Sequence, residues 1–225
     1  IAREFGALLL VDAVSAVGGM VIDMDRAGVD AAAGASQKCL ELPPGLALAA
    51  VGERAWARLR ARPARPVPRV LDLAAWQECF ESRGDWHPQP MTGATSLMYA
   101  LDWMADRILE EGLPNRQERF RAAGDRLKAG FRALGFRTPA DPRHASPVLT
   151  EFLMPDGQPA ADLRAYYLDV HNTMVGRGER CDARGVPVSF RIAHFGQSAA
   201  RERLDFMIRI TRAFRDHSRS TGTPP

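Results

Sequence analysis

Lysine is rare in this sequence, which contains two lysines and 28 arginines among 225 residues. One of them, Lys38, has small and apolar neighbours and is followed by the turn sequence Leu42-Pro43-Pro44-Gly45. Arginine stays protonated in proteins, whereas a desolvated lysine amine can lose its proton and form a Schiff base. Lys38 therefore indicates amine chemistry, although a solvated loop lysine is the usual alternative. The other lysine, Lys128, lies between Arg126 and Arg132 on a charged helix and is predicted to be an ordinary surface residue.

A carboxylate, Asp12, directly follows the apolar run 7–11, which is typical of a buried parallel strand. A second short strand is predicted at 29–33, shortly before Lys38. Open α/β sheets place ligand sites at the carboxyl ends of their strands. Taken alone, Asp12 would be a turn or helix-capping residue. Paired with Lys38, it can keep a pyridine nitrogen protonated, which is the arrangement that a pyridoxal phosphate site needs.

Three neighbours of this pair and one distant arginine are further candidate site residues. Val14 could pack on a ring face, and Ser15 and Gln37 could donate hydrogen bonds to a cofactor phosphate or phenol oxygen; ordinary turn packing is an equal alternative for Val14 and Ser15. Arg191 lies in the predicted strand 188–194. Its guanidinium offers a fork of donors that matches a carboxylate, and the alternative is an exposed strand arginine.

Four segments carry a family resemblance, and they occur in the family's order: 11–19 (VDAVSAVGG), 36–46 (SQKCLELPPGL), 92–101 (TGATSLMYAL) and 190–196 (FRIAHFG). Together they resemble the class V aminotransferases of pyridoxal phosphate (PLP) fold type I, in particular the alanine–glyoxylate and serine–pyruvate aminotransferase branch. Cysteine desulfurases and kynureninases share this fold, but they usually carry histidine before the lysine, where this sequence has Gln37.

The resemblance implies a role for each matched residue. Lys38 would be the Schiff-base lysine, Asp12 the partner of the pyridinium nitrogen, and Arg191 the anchor of the substrate carboxylate. Gln37 would reach the cofactor. Thr92 would contact the cofactor phosphate of the neighbouring subunit, because the sites of this family are built across a dimer.

The resemblance also implies a reaction. We expect a ping-pong aminotransferase that moves an amino group from an amino acid to a small 2-oxo acid, glyoxylate or pyruvate. Pyridoxamine–pyruvate and aminophosphonate–pyruvate transaminases are alternatives within the same chemistry. A half-enzyme or non-catalytic subunit is the alternative from another class, because the N-terminal segment with the family's Gly-rich phosphate loop is not found in this sequence. The sequence departs from the family pattern at Gln89, where an aromatic residue is often found. The segment 176–179 lies in a region that can face substrate, but the sequence does not reveal its effect on specificity.

The expected fold class is α/β, with the C-terminal part of the large fold type I domain at 1–138 and a small α/β C-terminal domain at 139–225. Prolines at positions 63, 66 and 68 exclude regular structure over 62–69, and a turn is predicted at 155–157. Helices are predicted at 53–60, 95–111, 114–134, 159–169 and 199–218, and further strands at 46–51 and 148–154.

Composition narrows the class of protein. A hydrophobic content of 46% with 25% charged residues is typical of a globular chain, and the arginines alternate with acids instead of forming a nucleic-acid patch. Three widely spaced cysteines favour a reducing compartment and argue against disulfides or a metal site. We expect a cytoplasmic protein without membrane segments, either a homodimer or a chain assembled with one that supplies the N-terminal segment. The isolated chain is expected to expose an apolar sheet edge and to be inactive.

Overall fold

The computed structural model describes residues 1–63, 66–155 and 158–223. Contacts divide the chain into two compact units, a first unit of residues 1–17 and 21–107 and a second unit of residues 18–20 and 108–225. The helix and sheet content confirms the α/β class. The domain boundary predicted at residue 138 stays a prediction. The contacts within this chain group residues 108–138 with the second unit.

The first unit contains a three-stranded sheet in the order β1-β2-β3, formed by Leu10–Asp12, Ala31–Ala35 and Ala47–Val51. Strands β1 and β2 are parallel, with Asp12 opposite Ala33, and β3 runs antiparallel to β2. The carboxyl ends of β1 and β2 therefore lie at the same edge. The helices of this unit are α1 (Met24–Ala27), α2 (Glu53–Arg60), α3 (Leu73–Arg83) and most of α4 (Thr95–Glu111).

The prediction of a buried strand over 7–11 is wrong in two respects. Strand β1 begins only at Leu10. Leu10 is 67% exposed, because among the described residues β1 pairs with β2 alone, which agrees with the expectation of an exposed apolar sheet edge. Strand β2 begins two residues later than predicted, because Asp30 has another role. Its buried carboxylate accepts a hydrogen bond from the Leu9 amide at 2.8 Å and forms an ion pair with Arg54 at 3.1 Å.

The second unit contains an antiparallel sheet in the order β4-β6-β5, formed by Leu149–Leu153, Ser189–Ala193 and Gly176–Arg177. Helices α5 (Leu113–Ala133), α6 (Ala160–His171) and α7 (Arg201–Thr221) contact one another or the sheet. The core is aromatic, with the rings of Phe131 and Phe152 stacked at 4.4 Å between centroids. This burial fixes the position of β6, which carries Arg191.

Local sequence signals explain most helix boundaries. Helices α2 and α4 have the predicted bounds, and α5, α6 and α7 lie within three residues of theirs. Helix α3 was not predicted, although Asp72 caps its first turn by accepting a hydrogen bond from the Ala75 amide. The predicted turn at 155–157 falls partly on residues 156 and 157, which lie outside the described residues. Within the described part of the chain, no helix has the length and hydropathy of a membrane span.

Candidate functional site

Asp12 ends β1 and begins a tight turn. One carboxylate oxygen, Oδ1, accepts a hydrogen bond from the Val14 amide at 2.9 Å, so the side chain is held by its own turn. The next residue, Ala13, is buried and donates its amide to the Ala33 carbonyl on β2. The second oxygen, Oδ2, has no hydrogen-bond partner among the described residues. Asp12 is exposed, and this oxygen is open to a cation or a hydrogen-bond donor.

A single helical turn follows Asp12. The Ala13 carbonyl accepts hydrogen bonds from the Ala16 and Val17 amides at 2.8 and 3.0 Å. Val17 then packs on β2 at Gly34, where a Cβ atom would lie 2.9 Å from Val17 Cγ2. Only glycine leaves room for this approach, so Gly34 sets how closely the turn after β1 approaches the neighbouring strand.

Lys38 lies in a loop that is organised by one buried hydroxyl. Ser36 is fully buried, and its Oγ donates to the Pro43 carbonyl at 2.7 Å and accepts from the Leu46 amide at 3.3 Å. The Ser36 carbonyl also accepts from the Leu42 amide at 3.1 Å. The loop from β2 to β3 is therefore closed on Ser36, and the Lys38 backbone is held within it.

The loop and the turn after β1 are linked by a side chain next to Lys38. The buried thiol of Cys39 donates to the Ser15 carbonyl at 3.3 Å. Lys38 itself is half-buried, and within the described chain its amine has neither an ion pair nor a hydrogen bond. The structure therefore brings the Asp12 and Lys38 segments together at the carboxyl ends of two adjacent parallel strands.

The remaining candidates of the first unit are placed as follows. Val14 is half-buried in the turn, while Ser15 and Gln37 are exposed. Leu97 on the first turn of α4 lies 2.6 Å from the Cβ position of Gly45, which packs the start of α4 on the loop after Lys38. Thr92 is exposed shortly before this helix. The roles assigned to these side chains stay predictions.

Arg191 is placed by the second unit. It lies on β6, opposite Glu151 on β4 and Gly176 on β5. The side chain is 40% exposed, and its Nη1 is 3.1 Å from Oε1 of Glu179. A partly exposed guanidinium on a strand with a buried backbone is a suitable anion anchor, because packing positions the strand while the charge stays accessible.

Sequence reasoning missed the carboxylate that organises this sheet, Glu151. Its Oε1 accepts from the Ser189 hydroxyl at 2.6 Å and from the Glu179 amide at 2.7 Å. Burial acts to raise the pKa of Glu151, but the hydrogen bonds from Ser189 and from backbone amides outweigh it and lower the pKa below its usual value. No short motif reveals Glu151, because its hydrogen-bond donors, the Ser189 hydroxyl and the Glu179 amide, are distant from it in sequence.

A second missed residue is His194, at the end of the segment that carries Arg191. It is fully buried, and its Nε2 lies 2.9 Å from Oγ1 of Thr150 on β4. The ring packs on the backbone of α5, where a Cβ atom at Gly124 would lie 2.5 Å from His194 Cε1. Burial, helped by the nearby positive charge of Lys128, lowers the pKa of His194 from its usual 6.5 to about 4.

Comparisons with known proteins identify the family of the chain. The model of the family described as aminotransferase class-V matches residues 1–207. The chain therefore belongs to the class-V aminotransferase family. It is 35% identical to a pyridoxamine–pyruvate transaminase of Mesorhizobium japonicum over 86% of this chain and 48% of that protein. It is 30% identical to the alanine–glyoxylate aminotransferase of Rattus norvegicus over 95% of this chain and 50% of that protein.

The solved structures lead to the same family and fold. An alanine–glyoxylate aminotransferase from Nostoc sp. matches with a TM-score of 0.84 and 30% identity, over 94% of this chain and 55% of that one. A ureidoglycine–glyoxylate aminotransferase from Bacillus subtilis matches with a TM-score of 0.80. The resemblance to the alanine–glyoxylate branch and the fold type I prediction are confirmed. The chain spans about half the length of the curated relatives it matches.

Proposed function

We propose that this chain carries the lysine and the pyridine-binding carboxylate of a PLP-dependent aminotransferase. The observation that carries the proposal is the meeting of the Asp12 turn and the Lys38 loop through the Cys39–Ser15 hydrogen bond. Family membership supports the reaction class, because class-V aminotransferases use PLP.

The residues at this place fit the cofactor. A pyridine ring needs an anionic oxygen at its nitrogen, and Asp12 Oδ2 has no partner among the described residues, while Oδ1 is held by the Val14 amide. A Schiff base needs an accessible amine, and Lys38 is half-buried and without a charged partner in the described chain. Val14 is half-buried next to Asp12, where it can cover one face of the ring.

Each residue at this place has its own role toward the cofactor in this proposal. When bound, PLP supplies an electron sink for charge that develops at the substrate Cα. Asp12 would accept a hydrogen bond from the protonated ring nitrogen and hold that proton in place. The Lys38 amine would hold the cofactor and would take and return the proton at the substrate Cα. Ser15 and Gln37 donate hydrogen bonds to cofactor oxygens.

Arg191 anchors the substrate carboxylate in this proposal. Its guanidinium can bind both oxygens of a carboxylate, which orients the substrate as well as attracting it. The side chain is partly exposed on a strand that lies in the packed sheet of the second unit. A 2-oxo acid product or acceptor carries the same carboxylate, so one arginine serves both halves of a ping-pong reaction.

The acceptor in this proposal is glyoxylate or pyruvate. Relatives named for both acceptors match the chain, including a 2-aminoethylphosphonate–pyruvate transaminase of Klebsiella pneumoniae at 33% identity. We propose an amino acid as the donor, with pyridoxamine or an aminophosphonate as alternatives that direct assays separate. The site is proposed to be completed across a dimer, with Thr92 near the cofactor phosphate of the second subunit.

Cofactor attachment tests the proposal. Borohydride reduction of the PLP-loaded enzyme should leave a pyridoxyl group on the peptide that contains Lys38. The Lys38→Ala variant should lose this label and the visible absorbance band, with a fall in transaminase activity of at least about a thousandfold, because the amine is also the proton carrier. Lys128→Ala is the matched control, since it removes the chain's other lysine, and it should keep both signals. Labelling on the Lys128 peptide would contradict the assignment.

A further inference from the structure

The guanidinium proposed to bind the substrate carboxylate already faces a carboxylate of its own chain. Arg191 Nη1 lies 3.1 Å from Glu179 Oε1, and the two side chains are 40% and 74% exposed. Both residues belong to the second unit. A substrate carboxylate that binds Arg191 end-on, across Nη1 and Nη2, would need the Nη1 donor that Glu179 contacts.

The backbone of Glu179 is fixed to the sheet by Glu151. The Glu179 amide donates to Glu151 Oε1 at 2.7 Å, and the buried Ser189 hydroxyl donates to the same oxygen at 2.6 Å. The lowered pKa of Glu151 agrees with its acting as a charged acceptor of these bonds. The segment next to Arg191 is therefore a built part of the sheet.

Gly178 makes the approach of this segment possible. A Cβ atom at Gly178 would lie 2.1 Å from Ser189 Oγ and 2.7 Å from Glu151 Oε1, which is closer than any side chain allows. On the preceding strand β5, Gly176 is paired with Arg191. Gly178 and this pairing bring the Glu179 backbone to a defined place beside Arg191, while the Glu179 side chain stays exposed and able to turn away.

We propose that Glu179 is a specificity-determining residue that competes with substrate carboxylates for Arg191. This inference rests on the proposed role of Arg191. With Glu179 bound at Nη1, the arginine charge is partly compensated, and a substrate carboxylate that binds end-on must displace an internal carboxylate. Substrates with a carboxylate are therefore bound more weakly by one common factor, whereas an amine that carries no acidic group is unaffected. Glu179 therefore reduces the preference of the site for donors with a carboxylate over amines that carry no acidic group.

The size of the competition follows from the exposure of the pair. Ion pairs between exposed side chains stabilise by up to about 1 kcal/mol, which corresponds to a factor of about five in a binding constant. Removing the Glu179 charge should therefore tighten carboxylate binding about two- to fivefold. The effect should appear in KM and not in kcat, because Glu179 has to leave Arg191 before the reaction begins.

The experiment uses the assembled holoenzyme with propionate as an unreactive carboxylate, titrated calorimetrically, and pyruvate as a reacting acceptor. Glu179→Gln should lower the propionate dissociation constant and the pyruvate KM about two- to fivefold, with kcat unchanged. Glu118→Gln is the matched control, because it removes the charge of a similarly exposed glutamate that pairs with Arg121 on α5. It should change neither constant.

The Arg191→Gln variant separates failure of this inference from failure of the proposed function. Arg191→Gln should weaken propionate binding, and adding Glu179→Gln to it should have no further effect. If Arg191→Gln weakens binding but Glu179→Gln alone leaves it unchanged or weaker, the competition is overturned while the proposed function stands. If Arg191→Gln leaves binding unchanged, Arg191 is not the anchor, and both assignments are wrong.

Discussion

The two units of the chain position their proposed functional residues by different means. In the second unit, a cluster of aromatic and aliphatic side chains is buried, and Phe190, next to Arg191 on β6, packs with Phe131 and Phe152. In the first unit, the buried side chains near Asp12 and Lys38 are mostly small, such as Ala13 and Cys39, while Leu10 on β1 is 67% exposed.

The difference shows two ways of positioning a reactive side chain. Arg191 is placed by burial of apolar surface, which fixes a whole strand at once. Lys38 and Asp12 are placed by hydrogen bonds of Ser36 and Cys39 and by one close backbone contact at Gly34. We therefore expect substitutions in the second unit to lower the free energy of unfolding. Substitutions in the first unit should instead displace Asp12 and Lys38 locally.

The largest effect is expected for a core substitution in the second unit. Phe152→Ala removes a ring stacked on Phe131 and leaves a cavity, which should lower the free energy of unfolding by about 3–5 kcal/mol. Leu10→Ala in the first unit should change it by less than about 0.5 kcal/mol, since most of that side chain is already in water. Hydrogen exchange of peptides from each unit measures both changes, and equal losses for the two variants would break the comparison.

Acid should weaken the second unit through His194. Burial lowers the pKa of this histidine from 6.5 to about 4 in the folded chain, so the unfolded chain binds a proton that the folded chain does not. Stability should therefore fall as the pH drops from about 6.5 to about 4, by up to roughly 3 kcal/mol in total. Below that range, the lowered pKa of carboxylates such as Glu151 causes a further loss in the same direction.

The role of His194 is tested by measuring the free energy of unfolding of the second unit, from hydrogen exchange of its peptides, at pH 7, 6, 5 and 4. His194→Gln removes the titrating group and should flatten the slope between pH 6.5 and 4, even if the variant is less stable at every pH. A slope that persists in His194→Gln would assign the acid sensitivity to other groups.

A smaller effect, local to the site, is expected in the first unit. Gly34→Ala would place a methyl group 2.9 Å from Val17 Cγ2 and force the turn after Asp12 away from β2. We expect a loss of about 1–3 kcal/mol in local stability from this overpacking, and weaker retention of PLP. Val17→Ala removes the opposing methyl groups, so the double variant should recover most of the PLP affinity. No recovery would mean that Gly34 is needed for another reason.

Much of the local structure could be predicted from the sequence. Helices α2 and α4 have their predicted bounds because apolar residues recur at helical spacing and Gly52 and Gly112 flank them. The Asp12 and Lys38 segments could be proposed as a site because each follows a short apolar run and lies in a motif with residue types that suit one chemistry. These are properties of neighbouring residues in the chain, and they do not depend on the rest of the fold.

Tertiary structure alone decided the features that depend on distant partners. The start of β1 at Leu10 follows from its pairing with β2, and an apolar run by itself does not show where such pairing begins. Glu151 accepts hydrogen bonds from Ser189 and Glu179, and these residues lie too far along the chain for any spacing to predict it. The sequence thus determined which residues could do the chemistry, while strand pairing and close packing decided what surrounds each of them, because those contacts form only between segments that are distant in the chain.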